Sequence, residues 1–140
     1  MSPEFSFPVR VYIEDTDAGG IVYYVNYLKY LERARTELMR DLGHAKAALS
    51  DDGLMYVVSE VSVRYRMSAM LDDELMVRSH IASVGGATLD FQQKIYRGDT
   101  LLVEGEIRVA CVDQTSGRPR RLPRTVRDAI CLSAGGDHRF

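Results

Sequence analysis

Cysteine is scarce in this sequence, and it contains neither a long apolar run nor a large excess of charge. The two cysteines, Cys111 and Cys131, stand far apart and outside any Cys-x-x-Cys or Cys/His cluster. This favours a reduced cytoplasmic protein, although a disulfide between them stays open, and it argues against a zinc site. No run approaches the roughly 20 apolar residues that span a bilayer. The N-terminus has no basic stretch followed by an apolar one, so we predict neither a transmembrane segment nor a secretory signal.

Charge is nearly balanced, with 18 basic residues against 20 acidic ones and a formal net charge of −2. Such a balance provides no bulk attraction to nucleic acid, which is therefore not an expected partner. The histidines His44, His80 and His138 are scattered and are interpreted as surface or packing residues. No metal or cofactor is expected. With 140 residues, of which 46% are hydrophobic, the chain predicts a single domain over residues 1–132 and a flexible tail over 133–140.

Hydrophobic periodicity predicts a strand, then a long helix. Residues 9–14 alternate, with Val9, Val11 and Ile13 on one face. Over residues 24–42 the apolar period becomes helical, and Gly43 stands where a glycine ends a helix. The predicted buried stripe consists of Tyr24, Tyr27, Leu28, Leu31, Ala34, Leu38 and Leu42.

Strand patterns dominate the rest of the chain. After a short helical piece at 45–49, we predict strands at 55–66, 74–84, 88–96 and 102–112, separated by turn sequences, and a closing helix from Pro123 through about residue 132. One long helix followed by strands excludes a parallel α/β sheet, which needs alternating helices. The pattern predicts an α+β fold, an antiparallel sheet wrapped around one long central helix. We expect a second subunit to cover its edges.

The densest cluster of chemistry lies between the first strand and the helix. Glu14, Asp15 and Asp17 precede Gly19 and Gly20, and the helix then begins. A carboxylate beside the unpaired N–H groups of a helix N-terminus is suited to attack on a carbonyl with stabilisation of an oxyanion. These acids are also ordinary turn formers. An EF-hand loop is rejected, because its twelfth position is Asn26 rather than glutamate.

Several segments carry a resemblance to a known family. They are EDTDAGGIVY at 14–23, NY at 26–27, ERARTE at 32–37, YRMSA at 65–69, LDD at 71–73 and RLP at 121–123. Together they resemble the 4-hydroxybenzoyl-CoA thioesterase family, and most of all its branch of acyl-CoA thioesterases associated with the bacterial Tol-Pal system. The resemblance covers roughly residues 9–132.

The resemblance implies a hotdog fold that hydrolyses an acyl-CoA to free acid and coenzyme A. The family's catalytic aspartate falls on Asp17, as nucleophile or as general base on water. Its oxyanion donor, a main-chain N–H at the helix start, falls on Tyr24, and Gly19 and Gly20 form the supporting loop. The resemblance also implies active sites at the interface of a homodimer, often within a homotetramer.

Two departures from the family pattern stand out. Tyr24 occupies a position where many members of the branch have histidine, so no imidazole contributes there. Ser68 replaces a proline, a change that concerns a turn or strand end more than the chemistry.

Other polar residues are weaker candidates. Glu60, on a strand face with Arg64, and Thr88, after a glycine turn, are candidates for the substrate groove; a solvated sheet face is the ordinary explanation of Glu60. Arginines suited to bind coenzyme A phosphates, but equally to serve solubility, are Arg66, Arg97, Arg118, Arg120 and Arg121.

Three functions remain to be compared. Thioester hydrolysis by Asp17 needs no catalytic triad, since a thioester is already activated. A hotdog dehydratase would need a histidine base near the helix start, which Tyr24 disfavours. A non-catalytic thioester-binding or scaffold protein is the alternative from a different class. The sequence leaves open the acyl chain and whether coenzyme A or an acyl carrier protein bears it.

Overall fold

The computed structural model describes residues 4–43 and 53–133. Its strands are β1 (Phe5–Arg10), β2 (Leu54–Tyr65), β3 (Glu74–Val84), β4 (Thr88–Arg97) and β5 (Thr100–Asp113). A single 3-10 turn, Ile13–Asp15, follows β1. Helix α1 (Val25–Asp41) precedes β2, and helix α2 (Arg124–Ser133) follows β5. Among these helices none has the length and apolar character needed to span a bilayer.

The five strands form one antiparallel sheet in the order β1-β3-β4-β5-β2. Strands β3, β4 and β5 are joined by short turns, as the glycine-containing turn sequences predicted. Strand β2 lies at one edge and pairs along its length with β5. A bulge between Val58 and Glu60 shifts its register once, so Val61, Val63 and Tyr65 share the face of the buried Ile107.

Helix α1 packs against the inner face of this sheet. Gly105 of β5 lies close to the helix, since a Cβ there would stand 3.5 Å from Cδ1 of Leu31. The buried amide of Gln93 in β4 also binds the helix: its Nε2 donates to the Leu31 carbonyl and to Ser79 Oγ, at 2.9 Å each, and its Oε1 accepts from Arg35 at 3.0 Å. This satisfied polar group fixes the helix over the middle of the sheet.

The predicted antiparallel sheet around one long helix is therefore confirmed, and the helix and four later strands lie within two residues of their predicted bounds. The prediction of a strand before the helix is confirmed, but its bounds of 9–14 are wrong: β1 spans Phe5–Arg10, and Ile13 is 76% exposed in the 3-10 turn. The alternation of apolar residues in the sequence extends past the end of β1 because Val11 is buried although it lies outside the strand. Its N–H donates to the Asp73 carbonyl, and its carbonyl accepts from Asp72.

The predicted helix stripe is correct in its centre and wrong at its start. Tyr24 and Leu28 are 57% and 37% exposed, whereas Tyr30, which was not predicted, is fully buried. Burial depends on which neighbours face the helix, and that information is not in the helical period. The two cysteines are free thiols. The predictions at 45–49 and for the tail from residue 134 onward lie outside the described residues.

Candidate active site

Asp17 lies in a tight turn between β1 and α1, which we call the Asp17 turn (residues 16–22). Its main-chain N–H donates to the Ile21 carbonyl at 2.9 Å, and its carbonyl accepts from Gly20 at 3.1 Å. Gly20 has a φ of +80°, a left-handed conformation that glycine adopts without strain. The Gly19 N–H donates to Oδ1 of Asp17 at 2.8 Å. The turn thus orients the carboxylate by one oxygen, and within the described chain the other oxygen, Oδ2, accepts no hydrogen bond.

The neighbouring carboxylates have different surroundings. Oδ2 of Asp15 accepts the Tyr12 N–H at 3.0 Å, and the Asp15 carbonyl accepts the Tyr23 N–H at 3.0 Å and the Asn26 amide at 2.8 Å. Asp15 therefore joins the 3-10 turn to the start of α1. Glu14 is exposed and has no ion pair or hydrogen bond with any described side chain. Of the three acids, only Asp17 is both held in place and open.

The segment after β2 is hydrogen-bonded to the Asp17 turn, and we call it the floor loop (residues 66–73). Asp73 holds the end of this loop, because its Oδ2 accepts hydrogen bonds from the Met70 N–H and from the Arg97 guanidinium, both at 2.8 Å. Burial raises the pKa of Asp73, but these two donors together bring it below its ordinary value. Two main-chain hydrogen bonds join the two segments, from the Val22 N–H to the Ala69 carbonyl at 2.9 Å and from the Leu71 N–H to the Gly20 carbonyl at 3.0 Å, and together they form the antiparallel bridge between Ile21 and Met70.

Tyr24 forms the N-terminal cap position of α1, two residues after the Asp17 turn ends at Val22. Asn26 N–H and Tyr27 N–H donate to the carbonyls of Tyr23 and Tyr24 in the first turn. The Tyr24 N–H donates to no atom of the residues described. A free N–H at a helix start is a donor for a developing negative charge, reinforced by the helix dipole.

Tyrosine rings cluster around this helix start. The Tyr24 ring lies 5.1 Å from that of Tyr23 and 6.1 Å from that of Tyr65, and the Tyr65 ring lies 5.6 Å from that of Tyr27. Tyr27 is buried, and its hydroxyl oxygen accepts the Ala69 N–H at 2.8 Å. Burial is the main cause that raises the pKa of Tyr27, so its hydroxyl stays protonated at neutral pH. The rings give the site an apolar rim on one side.

The groove candidates Glu60 and Thr88 lie away from this turn within one chain. Glu60 faces the outer side of the sheet, 3.6 Å from Arg108, which also binds Asp90. It stands five residues before the end of β2 at Tyr65, or roughly 16 Å along the strand. The Thr88 carbonyl accepts the Gly85 N–H at 2.8 Å in the β3–β4 turn. A single chain therefore does not bring either residue to Asp17.

The arginines divide into paired and unpaired ones. Arg66 pairs with Glu104 at 3.0 Å, Arg97 with Asp73 at 2.8 Å and Arg120 with Asp113 at 2.9 Å. Arg118 and Arg121 are exposed and form no ion pair within residues 4–43 and 53–133. They lie beside the start of β2, since Gln114 N–H donates to the Gly53 carbonyl at 2.7 Å and Pro119 bridges to Val112.

Metal-ligand geometry is not found in the part of the chain that the structure describes, which has no group of three His, Cys, Asp or Glu side chains able to hold an ion. His80 is half-buried in β3, remote from Asp17, and burial lowers its pKa. His44 and His138 lie outside the described residues.

The fold and the arrangement of turn, helix start and floor loop define a hotdog domain of the thioesterase type. Residues 11–130 match the sequence model of the thioesterase-like superfamily. The chain belongs to this family, which confirms the resemblance and, at the level of the family, the prediction of a thioester hydrolase.

Individual relatives agree with the family match. The chain is 44% identical to the acyl-CoA thioesterase YbgC of Haemophilus influenzae over 127 residues, covering 90% of this chain and 93% of that protein. It is 44% identical over 123 residues to the acyl-CoA thioester hydrolase YbgC of Escherichia coli, covering 87% and 92% of the two chains. Among solved structures, a probable thioesterase from Bartonella henselae superposes with a TM-score of 0.80 at 34% identity, covering 86% of this chain and all of that one.

Sequence reasoning did not find the floor-loop contacts or the role of the Tyr27 hydroxyl. The YRMSA and LDD segments carried the resemblance, but nothing in their composition indicates contact with residues 20–22, because those contacts are made by main-chain atoms. Tyr27 was predicted only as an apolar stripe residue, since a periodicity does not distinguish a packed ring from a hydrogen-bonded one.

Proposed function

We propose that this protein is an acyl-CoA thioesterase in which Asp17 acts on the thioester and the Tyr24 N–H stabilises the oxyanion. The observation that carries the proposal is the contrast among the three acids: Asp15 is bound to backbone, Glu14 is unsupported, and Asp17 is oriented by Gly19 with Oδ2 open. Family membership and relatives named as acyl-CoA thioesterases support the substrate class. No cofactor is required for this hydrolysis.

Hydrolysis requires an oxygen to bond to the acyl carbon and the carbon–sulfur bond to break. As a general base, Asp17 takes a proton from water while that water attacks, and the proton then goes to the departing coenzyme A thiolate. As a nucleophile, Asp17 forms an acyl-carboxylate anhydride that water hydrolyses, with the same net products. In either route negative charge develops on the carbonyl oxygen, for which the free Tyr24 N–H is the donor.

The working unit that we propose is a homodimer formed along the free edge of β2. This strand is 12 residues long and exposes Val58, Val61 and Tyr65 by 48%, 49% and 43%. The unpaired N–H and C=O groups of a long apolar edge strand form a template for pairing with another chain. Two-fold symmetry makes the pairing antiparallel. A tetramer of two such dimers stays a prediction.

Antiparallel pairing would complete the site with residues of the second chain. Within one chain, Arg118 and Arg121 lie beside the start of β2, roughly 36 Å along the strand from Tyr65 and the tyrosine cluster. Pairing of two β2 edges places these unpaired arginines of one chain next to the Asp17 turn of the other. Exposed guanidinium groups there suit the phosphates of coenzyme A. The roles of Glu60 and Thr88 in the substrate groove stay predictions. Location in the cytoplasm and association with the Tol-Pal system stay predictions as well.

Thiol release from a panel of acyl-CoA esters tests the proposal and ranks short aliphatic, long aliphatic and aromatic acyl groups. Asp17→Asn should lower kcat by about 10²- to 10⁴-fold, the usual contribution of a positioned acid–base group. Glu14→Gln is the matched control, because it neutralises a neighbouring exposed carboxylate and should leave turnover unchanged. The same acyl groups carried on acyl carrier protein compare the two thioester classes.

The outcomes separate the enzyme from a binding protein. Asp17→Asn that retains wild-type turnover would remove Asp17 from the mechanism. A wild-type protein that is folded, binds coenzyme A by calorimetry and hydrolyses no ester would favour the non-catalytic thioester-binding function instead.

A further inference from the structure

Tyr27 lies where the first turn of α1 meets the floor loop. The residue is 3% exposed, and its main-chain N–H donates to the Tyr24 carbonyl at 3.2 Å. Through its backbone, therefore, it belongs to the helical turn that presents the Tyr24 N–H. Through its hydroxyl oxygen, which accepts the Ala69 N–H at 2.8 Å, it also holds the floor loop.

The Ala69 backbone connects Tyr27 to the Asp17 turn. Ala69 is fully buried, and its carbonyl accepts the Val22 N–H at 2.9 Å. Two residues further on, the Leu71 N–H donates to the Gly20 carbonyl, and Gly20 in turn donates to the Asp17 carbonyl at 3.1 Å. Hydrogen bonds, together with the covalent backbone from Ala69 to Leu71, thus connect the Tyr27 hydroxyl to Asp17.

The fold does not depend on the Tyr27 hydroxyl alone. The far end of the floor loop is held separately by Asp73, which binds Arg97 and the Met70 N–H. Loss of the hydroxyl would leave the Ala69 N–H buried and without an acceptor, and a buried amide in that state moves toward another acceptor or water. The expected consequence is a local shift of Ala69, and with it of Val22, while the domain stays folded.

We infer that Tyr27 is a positioning residue, which sets the distance between the Asp17 carboxylate and the Tyr24 N–H by binding the floor loop to the first turn of α1. The inference rests on the proposed function, since it concerns the two groups assigned there to the reaction. It adds a residue that touches neither the substrate nor the reacting atoms.

Tyr27→Phe is the direct test, because it removes one oxygen and keeps the ring. Steady-state kinetics should show kcat reduced about ten-fold or more with KM within about two-fold of wild type, since misplacement of reacting groups by a fraction of an ångström affects the transition state more than binding. Amide hydrogen exchange should show faster exchange at Val22 and Leu71 and unchanged exchange in β4.

Two control variants separate positioning from loss of stability. Tyr30→Phe removes a buried hydroxyl from the same helix that lies beside the Asp15 carboxylate and forms no hydrogen bond with the floor loop, so it should lower kcat far less than Tyr27→Phe does. Val126→Ala truncates the core under α2, which binds the β3–β4 turn through Arg127 and Gly85, far from Asp17. It should lower the melting temperature without lowering kcat.

The inference is overturned if Tyr27→Phe keeps wild-type kcat, or if exchange at Val22 and Leu71 is unchanged. It is also overturned if Val126→Ala and Tyr27→Phe lose kcat in the same proportion to their losses of stability. The exchange result holds even for a protein without turnover. A failure of the proposed function appears separately, as an Asp17→Asn variant that is as active as wild type.

Discussion

The Gly19 N–H donates to Oδ1 of Asp17 at 2.8 Å, and a Cβ placed on Gly19 would stand 3.3 Å from that same oxygen. The constraint at this position is one of space and not of backbone conformation, since only Gly20 of the pair has a positive φ. A side chain at Gly19 would therefore fit tightly against the carboxylate, which would have to move by a few tenths of an ångström to admit it. The two residues are adapted to each other, and a methyl group on one should move the other.

Gly19→Ala should displace the Asp17 carboxylate by a few tenths of an ångström. Such a shift is expected to lower kcat about three- to ten-fold, less than a full ångström of misplacement would. Stability should change little, because alanine adopts the Gly19 backbone without strain. Kinetics and urea unfolding on the same preparation check both parts.

Gly86→Ala is the control for that substitution. A Cβ at Gly86 would meet no atom within 4 Å, and its φ is not positive. The variant should match wild type in kcat and in unfolding. If Gly19→Ala is fully active, the close fit of Gly19 to the carboxylate has no catalytic consequence.

Val61→Lys should convert the proposed dimer to a monomer. Val61 is 49% exposed on the inner face of the β2 edge, where a charged side chain opposes pairing of strands. Light scattering after size-exclusion chromatography measures the mass. Turnover should fall as the dimer is lost, because the arginines of the second chain would no longer reach the Asp17 turn.

Ser62→Lys provides the comparison on the same strand. Ser62 lies on the opposite face, in register with Glu106, so a lysine there gains an acidic neighbour. This variant should stay dimeric and active. A Val61→Lys protein that elutes as a dimer would show that β2 is not the interface.

Stability should decrease in alkaline solution because two buried tyrosines, Tyr27 and Tyr30, and the partly buried Tyr56 resist ionisation in the folded state. Burial is the main cause that raises the pKa of Tyr27, Tyr30 and Tyr56, to about 12 for Tyr56. The folded protein thus keeps these protons when the unfolded chain, with tyrosine pKa values of about 10, has lost them. The stabilisation is fully present below pH 10 and is lost as the pH rises through the folded values.

Urea unfolding at steps between pH 9 and pH 12 measures this effect, and ultraviolet absorbance at high pH follows the phenolates directly. Tyr56→Phe should make the alkaline decrease shallower. An unfolding free energy that stays constant up to pH 12 would contradict the predicted pKa shifts.

The bounds of helices and strands were predicted best where they follow from one physical rule that acts between residues close in sequence. The helical period identified α1 within one residue at each end, and alternation with turn residues identified β2 to β5, because these patterns reflect one buried face per element. Prediction failed where a residue is buried by contacts distant in sequence. Val11 fits the alternation of a strand, but it lies beyond the end of β1 and is hydrogen-bonded to Asp72 and Asp73 of the floor loop.

The sequence by itself determined the family, the order of elements and the clustering of three carboxylates before a helix start. Only the tertiary structure decided how those acids differ, because the distinction depends on which main-chain groups reach Asp15 and which leave Oδ2 of Asp17 open. It also decided that Tyr27 binds the floor loop and that the apolar side of β2 lies at a free edge. These are long-range relations between backbone segments, whose donors and acceptors are the same in every residue and so leave no trace in the sequence.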